Sequence, residues 1–377
     1  MQFSCTQENL VQGLSIVSHV TSKNINLPVL GNVLIKAEKG GIHFHSTNLE
    51  ISISCTVRGR VDVEGEYSVP AKLLFDYIAL LPSGKVEFEL KDSGLEIKSN
   101  GQETVFRGMP ASEFPLLPKL TKNTTYQLKA GEVRQAISQV VFAASVSESR
   151  PELSGVACFF NAPGRPGKAA LVATDSYRLA ERVIDCKENE QPATIIVPSR
   201  AMSEIFRILS SYKDDLDSPE SVGLSTTDNQ LVVSYGSVEL TSRLIEASFP
   251  DYQNIIPTSS NTDAVLNRQE LIKAVKAASL FSRKEINDVH LELSPGANSC
   301  AIESSDEGTG KTKTVIGGEV TGQDNKIVLN FKYISDGLNA LSSEKVKLAT
   351  VSPMSPMLIL PVGDDLDYKY LVMPIRQ

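Results

Sequence analysis

One glycine-lysine-threonine segment has the residue types of a phosphate-binding loop. Gly310-Lys311-Thr312 matches the end of the pattern G-x-x-x-x-G-K-[ST], in which backbone N–H groups and a lysine hold phosphates. The first glycine of that pattern would fall on Ser305, and the segment lies in a polar, hairpin-like stretch instead of between a parallel strand and a helix. A phosphate- or nucleotide-binding enzyme built on this loop is therefore kept only as an alternative function.

Other residues that could support catalysis or metal binding lack the partners that such chemistry needs. His43 and His45 fall on one face of a strand and could ligate a metal, but no third ligand is evident. Thr174-Asp175 has no histidine placed by a motif, and the chain contains no G-x-S-x-G. The sequence predicts a protein that is not an enzyme and has neither a cofactor nor a metal.

Composition is that of an ordinary globular protein. The 377 residues are 41% hydrophobic and 22% charged, with no apolar run of membrane-spanning length and no leader pattern at the start, which predicts a cytoplasmic protein. An odd number of cysteines without a C-x-x-C predicts reduced, packed thiols instead of a disulfide framework or a zinc site. These cysteines are Cys5, Cys55, Cys158, Cys186 and Cys300.

Six stretches place apolar residues at helical spacing and predict amphipathic helices. They cover residues 6–19, 70–81, 130–144, 198–211, 268–280 and 331–341. Asn267 and Glu270 are spaced as a capping box at the start of the fifth helix. Other segments alternate apolar and polar residues, as strands do, for example Leu95-Glu96-Ile97. Helices among period-two strands predict an α+β fold with helices packed on one face of antiparallel sheets.

The same order of elements occurs three times. Val69, Val197 and Leu329 each stand near the end of a strand that leads into a helix and then into more strands, and they are 128 and 132 residues apart. A repeat of this length is a domain, not a solenoid unit. We therefore expect three tandem copies of one domain, at residues 1–122, 123–258 and 259–377, with boundaries in polar stretches.

The charge balance argues against nucleic acid when it is taken over the whole chain. The net charge is −8 and the isoelectric point is near 5.3, whereas phosphate binding usually needs a basic footprint. The predicted helices, however, carry eight Lys/Arg against six Asp/Glu, so 39 of the 45 acidic residues lie elsewhere. The helices are the slightly positive part of the chain.

Three like domains leave sheet edges that must be covered. A two-fold dimer that joins the first domain of one copy to the last domain of the other would close six units into a ring.

Four sequence blocks resemble those of a known family, the bacterial sliding clamps, which are the beta subunits of DNA polymerase III. The blocks are Leu27-Pro28-Val29-Leu30-Gly31-Asn32, Thr174-Asp175-Ser176-Tyr177-Arg178-Leu179-Ala180, Phe249-Pro250-Asp251-Tyr252 and Tyr370-Leu371-Val372-Met373-Pro374-Ile375-Arg376. The resemblance runs along the whole chain. It implies a head-to-tail dimeric ring of six similar domains, with helices lining a central hole through which duplex DNA passes. The function implied is that of a processivity factor, which keeps a polymerase at the primer end by tethering it.

The resemblance implies sequence-independent contacts with DNA phosphates, since these permit sliding. The loop arginine and loop glutamine of the best-known members align with Asn24 and Ser147 of this chain, so we expect neighbouring basic residues to take their place. The DNA-binding residues that this implies are Lys72, Arg134, Arg200, Arg207, Lys273, Lys276 and Lys332 on helices, with Lys23 and Arg150 in loops.

The resemblance also implies a pocket for linear peptides of partner proteins. Burial of two or three Leu/Phe side chains of a peptide is worth roughly 1.5 to 3 kcal/mol each, and association consumes much of this, so weak and exchangeable binding is expected. A peptide-binding scaffold that never encircles DNA is a further alternative. The pocket residues implied are Leu153, Thr174, Tyr177, Arg178, Leu179, Pro250, Ile255, Ile286, Asn330, Tyr333, Met354, Pro356, Val372, Met373, Pro374 and Ile375.

At the dimer interface, the same resemblance places Thr104 and Phe106 of the first domain against Leu280 and Phe281 of the third. The partners implied are double-stranded DNA, the catalytic subunit of the replicative polymerase, the clamp loader, repair polymerases, ligase, mismatch-repair proteins and a second copy of the chain. No membrane partner is expected.

Overall fold

The computed structural model describes residues 1–21, 27–115, 124–147, 149–186, 191–212, 218–227, 229–363 and 367–376. The chain divides into two compact units. The first is built chiefly from Met1–Gly131 and Ser203–Leu244, and the second from Glu132–Cys186, Glu190–Met202 and Ile245–Gln377. Within the described ranges, no helix has both the length and the apolar character needed to cross a membrane.

All six predicted helices are confirmed. They are α1 (Gln7–Val17), α2 (Ala71–Leu80), α3 (Ala130–Val140), α4 (Ser199–Ser211), α5 (Arg268–Ser279) and α6 (Phe331–Asn339). The third helix is shorter than predicted, because Val141–Ala143 tighten into a 3-10 turn. The predicted cap of α5 is also present, since the Asn267 side chain accepts the backbone N–H of Glu270 at 3.0 Å.

The strands of the described residues are numbered in chain order. The first thirteen are β1 (Gln2–Thr6), β2 (Asn32–Glu38), β3 (Gly41–Thr47), β4 (Ile51–Val57), β5 (Arg60–Val63), β6 (Gly65–Pro70), β7 (Lys85–Lys91), β8 (Gly94–Ser99), β9 (Gln102–Phe106), β10 (Thr124–Lys129), β11 (Gly155–Phe160), β12 (Lys168–Thr174) and β13 (Arg178–Asp185). The others are β14 (Ala193–Pro198), β15 (Ser221–Thr226), β16 (Gln230–Tyr235), β17 (Val238–Arg243), β18 (Thr262–Asn267), β19 (Asp288–Ser294), β20 (Ser299–Asp306), β21 (Gly310–Gly322), β22 (Asn325–Asn330), β23 (Lys345–Thr350), β24 (Met357–Pro361) and β25 (Tyr368–Val372).

The first unit contains two antiparallel sheets. A five-stranded sheet has the order β5-β1-β7-β8-β9, and an eight-stranded sheet has the order β10-β15-β16-β17-β4-β3-β2-β6. Helix α1 packs on α2 and on strands β3 and β4, and it buries Leu10, Leu14 and Val17 completely. Gly13 permits this close approach, because a Cβ atom there would overlap Val57 and Phe44.

The second unit contains one twelve-stranded antiparallel sheet. Its order is β14-β11-β12-β13-β25-β24-β23-β18-β21-β20-β19-β22. Helix α5 packs on α6 and on strands β20 and β21. The pairing of β13 with β25 joins the block that begins at Thr174 to the block that begins at Tyr370 within one sheet.

The predicted α+β class with antiparallel sheets is confirmed. The predicted limits of the three domains remain a prediction, since the division into two units falls within α3 and α4.

Candidate functional site

The segment with phosphate-loop residues does not have phosphate-loop structure. Gly310 begins β21, which pairs antiparallel with β20 through the register Asp306 to Gly310. The turn between these strands is a hairpin, and Gly310 has the positive φ of 113° that such a turn requires. A phosphate loop needs a helix directly after the glycines. The alternative of an enzyme built on this loop is therefore not supported.

The two histidines lie together on β3 as predicted. The rings of His43 and His45 are 6.4 Å apart, and His43 Nδ1 is 2.9 Å from the Thr56 hydroxyl. Burial, together with the positive charge of Lys36, lowers the pKa of His45 to about 4. Among the residues that the structure describes, no group of three or more His, Cys, Asp or Glu side chains could hold a metal ion.

Some of the residues predicted to form a peptide pocket are brought together by the pairing of β13 with β25. Arg178 faces Val372 and Leu179 faces Leu371 across this ladder. Beyond the ladder, the backbone N–H of Met373 donates to the carbonyl of Tyr177 at 2.8 Å. The N–H of Ile375 donates to the carbonyl of Val328 on β22, also at 2.8 Å. The C-terminal block is therefore fixed by backbone hydrogen bonds to the segment of Tyr177 and to β22.

A tight turn presents Tyr177 and Arg178 at the start of β13. Asp175 Oδ1 accepts the backbone N–H groups of Tyr177 at 2.9 Å and of Arg178 at 3.0 Å. The Thr174 hydroxyl donates to the carbonyl of Arg178 at 2.6 Å and accepts the N–H of Ser176 at 3.1 Å. The Thr174 side chain is thus used within the turn, while the Tyr177 side chain projects into solvent with 63% of its surface exposed.

Arg178 connects this turn to helix α6. Its guanidinium donates Nε to Asp175 Oδ2 at 2.9 Å, pairs through Nη1 with Asp336, and lies 4.6 Å from the centre of the Tyr333 ring. A cation over an aromatic face is worth roughly 0.5 to 2 kcal/mol, with the larger value for desolvated pairs. Burial acts to lower the pKa of Arg178, but Tyr370 and the two carboxylates outweigh it and raise that pKa above its ordinary value.

Tyr370 packs against helix α6. Its ring is fully buried, and its hydroxyl donates to the carbonyl of Tyr333 at 2.9 Å. Gly337 makes room for this ring, because a Cβ atom at that position would overlap it. Burial is the main cause that raises the pKa of the Tyr370 hydroxyl, which therefore stays protonated and remains a donor.

An apolar cluster contains Leu179, one of the predicted pocket residues. Leu179 and Leu371 are buried together with Tyr252, and Met373 packs against them from the side. The Tyr252 hydroxyl donates to Glu181 at 2.5 Å. Glu181 is itself buried and forms two hydrogen bonds with Arg165, at 3.1 and 3.2 Å. The bond between Tyr252 and the buried Glu181 anchors the segment that carries Pro250 and Ile255, two of the predicted pocket residues.

The predicted pocket residues include apolar side chains that the fold leaves exposed. Ile255 is 45% exposed, Ile286 38% and Met354 60%. Exposed apolar side chains that gather in one patch mark binding surfaces, so these three are the members on which the pocket prediction depends. Other members have structural positions: Leu153 is buried, and the Asn330 side chain caps α6 by accepting the N–H of Lys332 at 2.9 Å. Pro356 is half-buried beside Met354.

The predicted DNA-binding residues differ in how available they are. Five are exposed, and within the described part of the chain none of the five forms an ion pair: Lys72 on α2, Arg200 on α4, Lys273 and Lys276 on α5, and Lys332 on α6. Arg134 on α3 is half-buried. Lys23 and Asn24 lie outside the described residues.

Two other predicted DNA-binding arginines are held by neighbouring groups. The Arg207 guanidinium donates to the carbonyls of Ser15 and Ile16, at 3.1 and 2.7 Å, and pairs with Glu204 at 2.9 Å. Arg150 pairs with Glu152 at 2.9 Å and donates to the Ser176 hydroxyl at 3.0 Å, which places it beside the Tyr177 turn.

The four residues predicted for the dimer interface are not equally exposed. Leu280 is 73% exposed at the end of α5, and Phe281 beside it is half-buried. Phe106 is only 5% exposed and packs edge-on against Tyr77 of α2, with ring centres 5.4 Å apart. The Thr104 hydroxyl donates to the Tyr77 hydroxyl at 2.8 Å. The side chains of Thr104 and Phe106 are thus turned toward their own helix, and the free part of β9 is its backbone edge.

Sequence reasoning missed several residues of the site. Asp336 pairs with Arg178, Tyr370 donates to the Tyr333 carbonyl, and Glu181 accepts from Tyr252, but none of these three was assigned a role. Asp336 is spaced three residues from Tyr333 on α6, so the two share a helix face, and this spacing was the available signal. The pairing of Glu181 with Arg165 and Tyr252 had no local signal, because it depends on which strands become neighbours.

Comparison with known proteins gives the same match along the whole chain. Three family models match, described as the DNA polymerase III beta subunit N-terminal domain (residues 1–118), central domain (127–251) and C-terminal domain (253–376). The beta sliding clamp of Synechococcus elongatus is 30% identical over 384 residues, covering 100% of this chain and 99% of that protein. That of Staphylococcus aureus is 28% identical over 386 residues, with the same coverage.

Solved structures show the same likeness. The DNA polymerase III beta subunit of Thermotoga maritima aligns with a TM-score of 0.91 at 26% identity, covering 100% of this chain and 99% of that one. The sliding clamp of Bacillus subtilis aligns with a TM-score of 0.91 at 27% identity and the same coverage.

Proposed function

The chain belongs to the family of bacterial DNA polymerase III beta subunits, the beta sliding clamps, and we propose from this premise that two copies close into a ring around duplex DNA. The ring acts as a processivity factor: it performs no catalysis and keeps a polymerase at its template by raising the local concentration. As a replication protein of this family, it acts in the cytoplasm. The observation that carries the proposal is that the β13–β25 ladder places the exposed Tyr177 turn next to the C-terminal block, as the family resemblance implies.

The pocket between the Tyr177 turn and the C-terminal block is proposed to bind linear peptides of replication and repair proteins. Its exposed members Tyr177, Ile255 and Met354 offer apolar surface that adapts to different side chains, because a methionine side chain is flexible and polarizable. The partners we propose are the catalytic subunit of the replicative polymerase, the clamp loader, repair polymerases, ligase and mismatch-repair proteins. Shared use of one pocket requires binding that is weak enough to exchange.

DNA contact is assigned to the five exposed basic residues on α2, α4, α5 and α6 and to the half-buried Arg134 on α3. Contacts with phosphates alone do not select a base sequence, so a ring that uses them is free to slide. Arg207 is better explained as a structural residue, because the carbonyls of Ser15 and Ile16 and the Glu204 carboxylate already use its donors. A role for Lys23 and Arg150 remains part of the proposal.

The dimer interface is proposed to form between two open strand edges. In the first unit, β9 is the edge of its sheet, and α2 beside it exposes Leu73 (59%) and Leu80 (84%). In the second unit, β21 is paired along one edge with β20 through Gly310–Gly317. Along its other edge, β18 covers only Gly318–Gly322 of β21. Within the described pairings, this other edge of Gly310–Gly317 is therefore open. Val315 is 58% exposed there. Strand addition between copies satisfies both backbone edges, and the exposed leucines and Val315 supply apolar contact.

The family resemblance places the exposed Leu280 at the dimer interface, and we expect Leu280→Asp to convert the dimer into a monomer. Burial of a leucine is worth roughly 1.5 to 3 kcal/mol, and burial of an unpaired carboxylate is costly, so the dissociation constant should rise by about a hundredfold or more. Light scattering should give about twice the 40.9 kDa chain mass for the parent protein and a single chain mass for the variant.

The control for this variant is Val362→Asp, which introduces the same charge at another exposed apolar residue, 39% exposed, outside the proposed interface. This control should remain dimeric. A parent protein that scatters as a single chain at micromolar concentration would contradict the proposed ring.

A further inference from the structure

The turn that carries Tyr177 and Arg178 has a structural copy in the first unit. There, Asn48 Oδ1 accepts the backbone N–H groups of Glu50 at 3.0 Å and of Ile51 at 2.8 Å. The Thr47 hydroxyl donates to the carbonyl of Ile51 at 3.0 Å and accepts the N–H of Leu49 at 3.0 Å. Each of these hydrogen bonds matches one made by Thr174 or Asp175.

The match extends beyond the side chains. Ser176 and Leu49, the third residues of the two turns, have positive φ angles of 79° and 77°. In both turns, the segment of the neighbouring strand in the sheet donates a backbone hydrogen bond to the carbonyl of the fourth turn residue. Met373 donates its N–H to the Tyr177 carbonyl at 2.8 Å, and Arg243 donates to the Glu50 carbonyl at 3.1 Å. The turn therefore belongs to the repeated fold and is not by itself a feature of the peptide pocket.

A third copy of the turn lies between β20 and β21, and there too a single side-chain oxygen accepts the two backbone N–H groups. Asp306 Oδ1 accepts the N–H groups of Gly308 at 3.0 Å and of Thr309 at 3.1 Å. Asn48, Asp175 and Asp306 are 127 and 131 residues apart, close to the spacing of the repeat. Since the first copy uses an amide oxygen, a negative charge is not needed to hold the backbone.

The turn at Asp175 differs from the turn at Asn48, because the Asp175 carboxylate has a second oxygen that binds another side chain. Asp175 Oδ2 accepts Nε of Arg178 at 2.9 Å, whereas the residue equivalent to Arg178 in the first copy is Ile51, which has no donor. Arg178 in turn reaches Asp336 and covers the Tyr333 ring. Only 12% of the Arg178 side chain is exposed, so the Asp175 carboxylate orients a guanidinium that solvent barely reaches.

We propose that Asp175 is a positioning residue of the peptide pocket, which sets the Arg178 guanidinium across Tyr333 and so joins the Tyr177 turn to α6 in the shape that receives a peptide. Asp175 acts through Arg178 and does not touch the peptide. Thr174 likewise acts through the turn, since its hydroxyl is used within it. The inference rests on the proposed peptide pocket and adds a residue on which its affinity depends.

The test compares Asp175→Asn with two alanine variants in the full-length chain, by calorimetric titration of a synthetic leucine- and phenylalanine-rich peptide and by thermal unfolding. Asp175→Asn keeps the turn acceptor, as Asn48 does, but it replaces the oxygen that accepts from Arg178 by an NH2 donor and so removes that bond. We expect an unfolding midpoint within about 2 °C of the parent and a peptide Kd raised about five- to tenfold, because a charge-assisted hydrogen bond that orients Arg178 is lost while the turn keeps its acceptor.

Asp175→Ala and Asn48→Ala are the matched pair. Each removes the acceptor of one copy of the turn, so both should lower the unfolding midpoint by a similar amount. Only Asp175→Ala should weaken peptide binding, while Asn48→Ala should leave the Kd within about twofold of the parent, since sites without shared partners behave independently.

Two results would overturn the inference: peptide binding by Asp175→Asn that equals the parent, or a loss of affinity in Asn48→Ala as large as in Asp175→Ala. A parent protein that does not bind the peptide would instead remove the pocket itself, so the two failures are distinguishable.

Discussion

Deletion of residues 373–377 is expected to abolish peptide binding and leave the fold intact. The deletion removes Met373, which packs on the buried cluster of Leu179 and Leu371, together with the Ile375 backbone bond to Val328. Loss of apolar contact equivalent to one or two anchors, at roughly 1.5 to 3 kcal/mol each, raises the Kd by about a hundredfold or more. Tyr370 and Leu371 stay in the sheet, so the unfolding midpoint should fall by only a few degrees.

The matched control for this deletion removes only Arg376 and Gln377. Arg376 is exposed, so this shorter deletion should bind the peptide as the parent does. Both shortened proteins should keep the mass of a dimer in light scattering, since neither touches β9 or β21. Unchanged peptide binding after the longer deletion would show that the pocket lies elsewhere.

Replacement of Lys72, Arg200 and Lys273 by glutamine should weaken DNA binding at every sequence alike. The three residues are exposed on three different helices. If each neutralises a phosphate, the slope of log K against log salt should fall by about 0.9 for each residue removed. Binding to a linear duplex, measured by fluorescence anisotropy at several salt concentrations, gives this slope directly.

The control for the helix variant must make the same change in net charge, because net charge alone alters association with DNA. Lys39, Arg243 and Lys326 are exposed on strands and turns, and their replacement by glutamine lowers the charge equally. This control should keep the salt slope of the parent. Equal slopes for the helix variant and the parent would remove the helices from the DNA contact.

The sequence predicted local structure well where a single periodic pattern decided it. All six helices begin within one residue of the predicted position, because each has an apolar face at helical spacing. The cap at Asn267 was readable for the same local reason. The error at the end of α3 has a local cause too: the apolar pattern continues through Val141, but the backbone tightens there into a 3-10 turn.

The site was predicted only in part, because its geometry depends on contacts between distant segments. The blocks around Tyr177 and Met373 were named from the resemblance, but their junction depends on the β13–β25 ladder, which no local pattern specifies. The roles of Asp336 and Glu181 became visible only when α6 and β13 had neighbours. The burial of Phe106 has the same origin, since its ring packs on a helix that precedes it by about thirty residues.

Retention on circular DNA tests the central claim most directly. The protein is loaded on a nicked plasmid by a clamp loader with ATP, separated from free protein on a large-pore column, and the plasmid is then cut once with a restriction enzyme. A closed ring should stay on the circle at a salt concentration that removes surface-bound protein, and it should leave once the DNA is linear. Equal retention on circular and linear plasmid would contradict enclosure and would favour a peptide-binding scaffold that never encircles DNA.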